Sequence, residues 1–329
     1  MSYTVACLDV FAPSVCGVIE ASAPAGFKLV FARTYERDEQ LALARDADFL
    51  LVGTAPVNAD MIGALSRCRL IQKWGMGLDR IDLEAARKSG IPVAFTYGDN
   101  AGPVAEHAVM LMLAVNRRLP YADRKLREGV WLKTEMRGIC YQLAGKTVGL
   151  IGFGNIARMV AQFLKGFAAE VIYYDIRRAD RVAEKSLNAT YVSLDELLAR
   201  SDIVSLHTPL NAATKDLVRA ETIARMKDGA IIINTARGGV IHEPSLYEAL
   251  VSGKLRGAGL DTFVGEPPSR DNPLLSLDQV VVTPHSGGGV FDNVETVARH
   301  AFSNMELRLA GDPLPAADLA VWPETLAVR

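Results

Sequence analysis

The stretch Thr147-Val-Gly-Leu-Ile-Gly-Phe-Gly-Asn-Ile-Ala-Arg-Met-Val-Ala-Gln-Phe-Leu-Lys-Gly-Phe-Ala-Ala-Glu-Val-Ile-Tyr-Tyr-Asp175 decides the fold. Val148 to Ile151 is a short apolar run that stops at Gly152, as a buried parallel strand does. Ile156, Val160, Phe163, Leu164 and Phe167 then recur at helical spacing, and a second apolar run, Val171 to Tyr174, ends on Asp175. A pair of glycines at a strand-to-helix turn is weak evidence alone, because such turns often need glycine for steric reasons. Here the turn follows a strand, opens a helix and is closed by a strand ending on an acid at the expected distance of about 20 residues, which marks a dinucleotide-binding unit. Gly152 permits the tight turn, Gly154 admits the pyrophosphate close to the backbone, and Ala157 lets helix and strand pack. The N–H groups of Asn155 and Ile156 open the helix toward the phosphates. Asp175 is expected to bond the adenosine ribose hydroxyls, favouring NAD over NADP. Arg177 and Arg178 beside it weaken that preference, since either can pair with a 2′-phosphate.

Working outward, 329 residues exceed a usual single core, so length suggests two domains. The composition is that of a globular protein, 50% hydrophobic and 22% charged. A net charge of -2 with no basic run gives no nucleic-acid footprint. The apolar runs are strand-length, so no membrane span is expected, and the N-terminus enters a strand without a signal-peptide pattern, making a cytoplasmic location the default. Cys7, Cys16, Cys68 and Cys140 are widely spaced and form no Cys-x-x-Cys pair, so neither a metal site nor a disulfide framework is expected.

Before the fingerprint, the apolar runs Val5 to Asp9, Lys28 to Phe31, Phe49 to Val52, Leu70 to Trp74 and Val93 to Phe95 alternate with helical patterns, clearest at Ala59 to Ser66 and Leu83 to Ser89. This is βα repetition and predicts a parallel sheet in a separate domain. A long helix with Pro103 in its first turn connects to the second domain, followed by a helix and an irregular arm over Tyr121 to Gln142. After the fingerprint, Ser193 to Arg200 begins with a capping box, and strands are expected at Ile203 to His207, Ala230 to Asn234, Gly257 to Asp261 and Val280 to Thr283. Helices are expected at Ala220 to Met226, Glu243 to Ser252 and Asn293 to Leu309, with a proline-containing tail from Asp312. The expected domains are 1–99 with 291–329, which would hold substrate, and 100–290, which would hold NAD.

Ligands of open parallel sheets gather at the carboxyl ends of the strands. Those ends carry His207-Thr208-Pro209, Thr235-Ala236-Arg237-Gly238-Gly239, Asp261 and Pro284-His285-Ser286-Gly287. Reducing a ketone beside a nicotinamide leaves a developing alkoxide that needs a proton donor, for which His285 is the candidate. A neighbouring carboxylate, Glu266, would fix the ring and favour its charged form. Arg237 can grip the carboxylate of a 2-oxo acid with its two-pronged guanidinium. A lone histidine after a strand more often caps a turn, but an Arg, an acid and a His gathered beyond a nucleotide unit reverse those odds. His107, His242 and His300 are read as structural, and His207 as a wall of the cofactor site.

With these motifs the chain resembles the D-isomer-specific 2-hydroxyacid dehydrogenase family. The resemblance rests on seven ordered stretches: Trp74 to Asp82, Asn100 to His107, the fingerprint, Leu206 to Leu210, Asn234 to Val240, Gly259 to Pro267 and Thr283 to Gly287. It implies an α/β protein of two doubly wound parallel-sheet domains, one Rossmann-type and one flavodoxin-like, with the active site in the cleft between them and a homodimer built on the cofactor domains. It implies that Arg237, Glu266 and His285 are the substrate Arg, the partner Glu and the acid/base His. The expected NAD contacts are Gly152, Gly154, Asn155, Ile156, Asp175, His207, Thr208, Pro209, Thr214, Ala236, Arg237, Asp261, His285 and Gly287. The expected substrate contacts are Thr54, Met76, Gly77 and Arg237, for a small 2-oxo or 2-hydroxy acid such as glyoxylate, hydroxypyruvate or 3-phosphoglycerate. Phosphoglycerate-type members carry cations near Val52 to Ala55, where this chain has Gly53 and Thr54, so the smaller acids are favoured. An NAD-sensing interaction protein of the corepressor type is the alternative from another class; a formate-type enzyme is disfavoured because it pairs its His with an amide.

Overall fold

A computed structural model describes residues 2–323. The chain divides into two compact units, one formed by Met1–Asn100 with Val290–Arg329 and one by Ala101–Gly289. Residues 324–329, the end of the expected segment 291–329, lie outside the described residues.

The first unit begins with β1 (Tyr3–Cys7), α1 (Pro13–Ser22), β2 (Phe27–Phe31), α2 (Arg37–Ala44), β3 (Phe49–Val52), α3 (Ala59–Gly63), β4 (Leu70–Lys73), α4 (Leu83–Lys88) and β5 (Val93–Phe95). Alternate strand residues point to opposite faces, which sorts the core into two layers. Ala6, Leu8, Leu50, Val52, Ile71 and Val93 pack with Ala44, Ile62 and Ala86 on one side. Val5, Cys7, Phe49, Leu51 and Leu70 pack with Ile19 on the other. Helix starts follow local chemistry: Asn58 accepts from the Met61 N–H at 3.0 Å and Asp82 from the Ala85 N–H at 2.9 Å.

The second unit opens with α5 (Ala101–Asn116), α6 (Leu119–Arg127) and α7 (Met136–Ile139). It continues through β6 (Thr147–Ile151), α8 (Asn155–Leu164), β7 (Glu170–Tyr174), α9 (Arg181–Leu187), β8 (Ala189–Tyr191), α10 (Leu194–Arg200), β9 (Ile203–Leu206), α11 (Ala220–Ala224), β10 (Ala230–Asn234), α12 (Glu243–Val251), β11 (Leu255–Leu260) and β12 (Val280–Val282). Its sheet has seven strands in the order β12-β11-β10-β9-β6-β7-β8, every pair parallel. Val148, Leu150, Ile231 and Ile233 face Leu111, Met112, Val160 and Leu164, while Ile151, Val204, Leu206 and Ile232 face Leu197, Leu198, Leu246 and Leu250. Helices therefore cover both faces, which is why these strands read as continuous apolar runs rather than alternating ones.

The chain then returns to the first unit through α13 (Val294–Ala310), whose Ala298, Phe302 and Met305 complete the core beside Phe49 and Leu51, and adds the strand β13 (Leu319–Val321). The first sheet runs β13-β5-β4-β3-β1-β2, parallel except for the antiparallel β13. Several local expectations change. Helices α1 and α2 and strands β8 and β13 carry weak patterns because they are short or lie at sheet edges. The capping box at Ser193 is half formed: its hydroxyl accepts from the Glu196 N–H at 3.2 Å, but the Glu196 carboxylate is drawn to Arg200 at 2.6 Å instead of returning to the cap.

Candidate active site

The switch point of the seven-stranded sheet lies between β6 and β9, where Gly152 meets His207. Gly152 has φ +90, and a Cβ there would stand 2.6 Å from the His207 carbonyl oxygen, so glycine is required by both conformation and space. Gly154 begins α8 with no side-chain cap, and a Cβ there would enter open space, so the first N–H groups of the helix, including those of Asn155 and Ile156, are left for an anion. Asp175 accepts from the Phe153 N–H at 2.7 Å and the Arg177 N–H at 2.9 Å, tying the end of β7 to the glycine turn. Arg178 is engaged elsewhere: its guanidinium meets both Glu184 oxygens at 2.8 and 2.9 Å, and lies over the Tyr191 ring.

His207 receives or gives a hydrogen bond to Ser205 Oγ through Nε2 at 2.9 Å, and burial of the ring pushes its pKa down to about 4, so the imidazole is neutral at ordinary pH. Thr208, Thr235 and Thr262, just beyond β9, β10 and β11, have buried hydroxyls without a protein partner. Orphaned polar atoms are costly unless a ligand or water completes them, so this row of threonines fits a polar cofactor lying across the strand ends. Thr208 is among the expected NAD contacts; Thr235, named only as part of a strand end, and Thr262 are not, and their signal in the sequence is a position one or two residues past a strand. Thr214 Oγ1 accepts from the Asn211 N–H at 2.9 Å and donates to the Pro209 carbonyl, bracing the loop after β9. Ala236 N–H donates to Asn234 Oδ1 at 3.0 Å.

Asp261, 2% exposed, is the centre of a second cluster. Its carboxylate accepts from Thr283 Oγ1 at 2.6 Å and from the Ser286 and Gly287 N–H groups, each at 2.9 Å. His107 Nε2 lies 2.8 Å from Thr283 Oγ1 and 3.3 Å from Asp261 Oδ1, so this histidine, expected to be merely structural, touches a candidate cofactor residue. Burial opposes ionisation of Asp261, but these donors outweigh it and hold the carboxyl below its usual range.

His285 and Glu266 are brought together, His285 Nδ1 lying 2.9 Å from Glu266 Oε2 while the Phe263 N–H donates to Glu266 Oε1 at 3.2 Å. With Nδ1 occupied, Nε2 is the ring nitrogen left for a reacting group. His285 has φ +51, a left-handed conformation uncommon for a non-glycine residue and met more often at functional positions. Arg237 follows β10 in extended conformation, and its Nη1 donates to the Ala236 carbonyl at 2.7 Å. Gly238 is necessary here, because a Cβ would fall 1.9 Å from the Phe263 carbonyl carbon. That close approach seats the Arg237 loop against the segment leading to Glu266. Thr54, Met76 and Gly77 belong to the first unit, where Thr54 Oγ1 donates to Asp9 at 2.8 Å and Gly75, with φ +87, donates its N–H to Thr96 Oγ1 at 3.0 Å.

Comparison with known proteins identifies the chain's family. Residues 109–287 match the NAD-binding domain of the D-isomer-specific 2-hydroxyacid dehydrogenases. The chain is 46% identical over 255 residues to a hydroxypyruvate reductase of Thermotoga maritima, covering 77% of this chain and 81% of that protein. It is 39% identical over 283 residues to a D-3-phosphoglycerate dehydrogenase of Mycobacterium bovis, covering 86% of this chain but 53% of that longer protein. Among solved structures, an NAD-dependent formate dehydrogenase from Staphylococcus aureus in complex with NAD superimposes with a TM-score of 0.85 at 25% identity, covering 97% of this chain and 98% of that one. The matched cofactor domain and the relatives' shared chemistry place the chain in the D-isomer-specific 2-hydroxyacid dehydrogenase family, as an NAD-binding α/β oxidoreductase acting on CH–OH groups.

Proposed function

We propose that this protein interconverts a small 2-oxo acid and its D-2-hydroxy acid, with His285 as acid/base, Glu266 orienting it, and Arg237 holding the substrate carboxylate and carbonyl oxygen. The observation that carries the proposal is the His285–Glu266 contact at 2.9 Å, on loops that leave the carboxyl ends of the same parallel strands as the glycine turn does. Bound NADH supplies the hydride. Glu266 holds Nδ1–H, so His285 presents Nε2–H to the carbonyl oxygen as negative charge develops there, and the imidazolium is stabilised beside the carboxylate. Arg237 offers a fixed positive charge and a forked donor set to the substrate carboxylate. Thr54, Met76 and Gly77 are assigned to the substrate, and Gly152, Gly154, Asn155, Ile156, Asp175, His207, Thr208, Pro209, Thr214, Ala236, Asp261 and Gly287 to NAD. Domain roles follow: the seven-stranded unit holds NAD and the six-stranded unit contributes substrate contacts.

Hydroxypyruvate and glyoxylate are the favoured substrates. Following NADH absorbance with these acids, for the wild type and His285→Ala, tests the assignment: turnover that falls steeply in the variant while NADH still binds supports it, and unchanged turnover refutes the role of His285. The same reading makes the protein a cytoplasmic homodimer. Leu119, Leu126 and Trp131 expose 58%, 56% and 73% of their surface. They accompany an open groove of about 860 Å³ lined by Met110, Leu113, Leu119, Met136 and Phe163. Apolar surface of this kind suits a subunit contact. Light scattering on the purified protein should give twice the 35.6 kDa chain mass.

A further inference from the structure

Helix α5 lies along β11, and glycine spacing lets it do so. Gly257 and Gly259 share one face of the strand, where a Cβ would stand 2.7 Å from Val115 Cγ1 and 3.0 Å from Leu111 Cβ. Two strand residues rise about 6.6 Å and four helix residues about 6 Å, so the two elements keep step. The next residues in that register are Asp261, just past β11, and His107, one turn before Leu111. The helix therefore delivers His107 to the Asp261 carboxylate. Its side chain is 12% exposed, and Nε2 lies 2.8 Å from Thr283 Oγ1 and 3.3 Å from Asp261 Oδ1.

Counting protons fixes the ring. The Thr283 hydroxyl has one hydrogen and donates it to Asp261 Oδ1 at 2.6 Å. Its oxygen can then only accept from His107, so Nε2 carries the hydrogen. The other tautomer would take the hydroxyl proton and turn Thr283 away from Asp261. Burial opposes the charge on Asp261, and the bond from His107 heads the groups that offset it, ahead of those from Thr283, Ser286 and Gly287.

The same carboxylate grips the loop that carries His285. Thr283 stands two residues before that histidine, and the N–H groups of Ser286 and Gly287, directly after it, donate to Asp261 Oδ1 and Oδ2 at 2.9 Å each. Gly287 lets the loop settle there, because a Cβ would stand 2.9 Å from Asp261 Oδ2 and 3.6 Å from the His107 ring. Held on both sides, His285 keeps φ +51, a conformation that non-glycine residues retain only where their surroundings enforce it.

We infer that His107 is a positioning residue: by donating to Thr283 and Asp261 it fixes the loop that aims His285 Nε2 at the reacting oxygen. It acts through Asp261 and the loop, not on the substrate itself. The inference rests on the proposed acid/base role of His285.

The test uses whichever of glyoxylate, hydroxypyruvate and pyruvate the wild type turns over fastest, and compares kcat, KM and NADH affinity in the wild type, His107→Phe and His107→Gln. Phe keeps a ring without a donor, and the Gln amide nitrogen reaches the place of Nε2. His107→Phe is expected to lower kcat by about tenfold or more, with KM and the Kd of NADH within about threefold of wild type, because a misaimed reacting group loses rate rather than affinity. His107→Gln is expected to recover most of that loss. Equal kcat in the two variants overturns the inference, since the donated hydrogen bond would then be irrelevant. So does a loss confined to NADH affinity, which would make His107 a cofactor-site residue. Should His107→Phe not fold, Thr283→Val carries the test: the same loss of kcat supports the inference, and wild-type kcat overturns it. These outcomes leave the oxidoreductase function standing. That function falls, and the role of His107 with it, if the wild type turns over no 2-oxo acid or if His285→Ala keeps wild-type kcat.

Discussion

His285 Nδ1 lies 2.9 Å from Glu266 Oε2, across 19 residues of sequence, with the histidine backbone in the left-handed region at φ +51. The contact leaves one ring nitrogen for chemistry and assigns the other to orientation. Replacing His285 by Ala should lower kcat by about 10² to 10⁴, the range for a general acid/base. NADH affinity, followed by nucleotide fluorescence, should change little. Equal losses in binding and turnover would make His285 a cofactor residue instead.

Glu266→Gln keeps the shape but removes the charge that stabilises an imidazolium. A fall in kcat of about 10- to 100-fold is expected, with a smaller change in KM, as for other residues that orient a catalytic ligand. Steady-state kinetics at several pH values checks this, and a variant with wild-type kcat throughout would detach Glu266 from the reaction.

Asp175 and the Arg178–Glu184 pair together predict a preference for NADH. Arg178 is held by both oxygens of Glu184 and is turned to Tyr191, and its hydrogen bonds keep the Glu184 carboxyl well below the usual range. NADH should therefore exceed NADPH in kcat/KM by about tenfold or more, and Asp175→Ala should narrow the ratio by weakening NADH. A wild type indifferent to the 2′-phosphate would contradict this.

His300 Nδ1 lies 2.8 Å from Asp99 and Nε2 lies 2.8 Å from Asp318. Burial alone would lower its pKa, but the bonds to Asp318 and Asp99 prevail and raise it. A folded-state pKa above the unfolded value means stability that is fully present below about pH 6.5 and lost as pH rises through the folded pKa. The Tm difference between wild type and His300→Gln should thus be largest near pH 6 and shrink toward alkaline pH; a constant difference would show that the charge contributes nothing.

Gly152→Ala should destabilise the protein by at least about 2 kcal/mol, since φ +90 and a contact of 2.6 Å to the His207 carbonyl both resist a Cβ. Urea unfolding measures it.

Much of this was legible in the sequence because buried parallel strands announce themselves as unbroken apolar runs. Val148 to Ile151 and Ala230 to Asn234 are buried on both faces, and the polar residues after them had to be at the ligand edge. The Glu266–His285 contact was inferable from the chemistry those residues share with Arg237. What stayed hidden depends on three-dimensional proximity without local pattern. Asp9 meets Gly53 across 44 residues and His107 meets Thr283 across 176, and nothing in either neighbourhood signals the partner. The edge strands β8 and β13, of three residues each, are fixed by pairing with a neighbour rather than by their own propensity.

NADH oxidation over a panel containing glyoxylate, hydroxypyruvate and pyruvate, with chiral analysis of the product, decides whether the protein reduces a 2-oxo acid. Turnover of about 1 to 10³ s⁻¹ with at least one of these acids, and a product of the D configuration, are expected. No turnover with any 2-oxo acid, together with tight NAD binding, would contradict the proposed function and point to a protein that senses NAD without reducing a substrate.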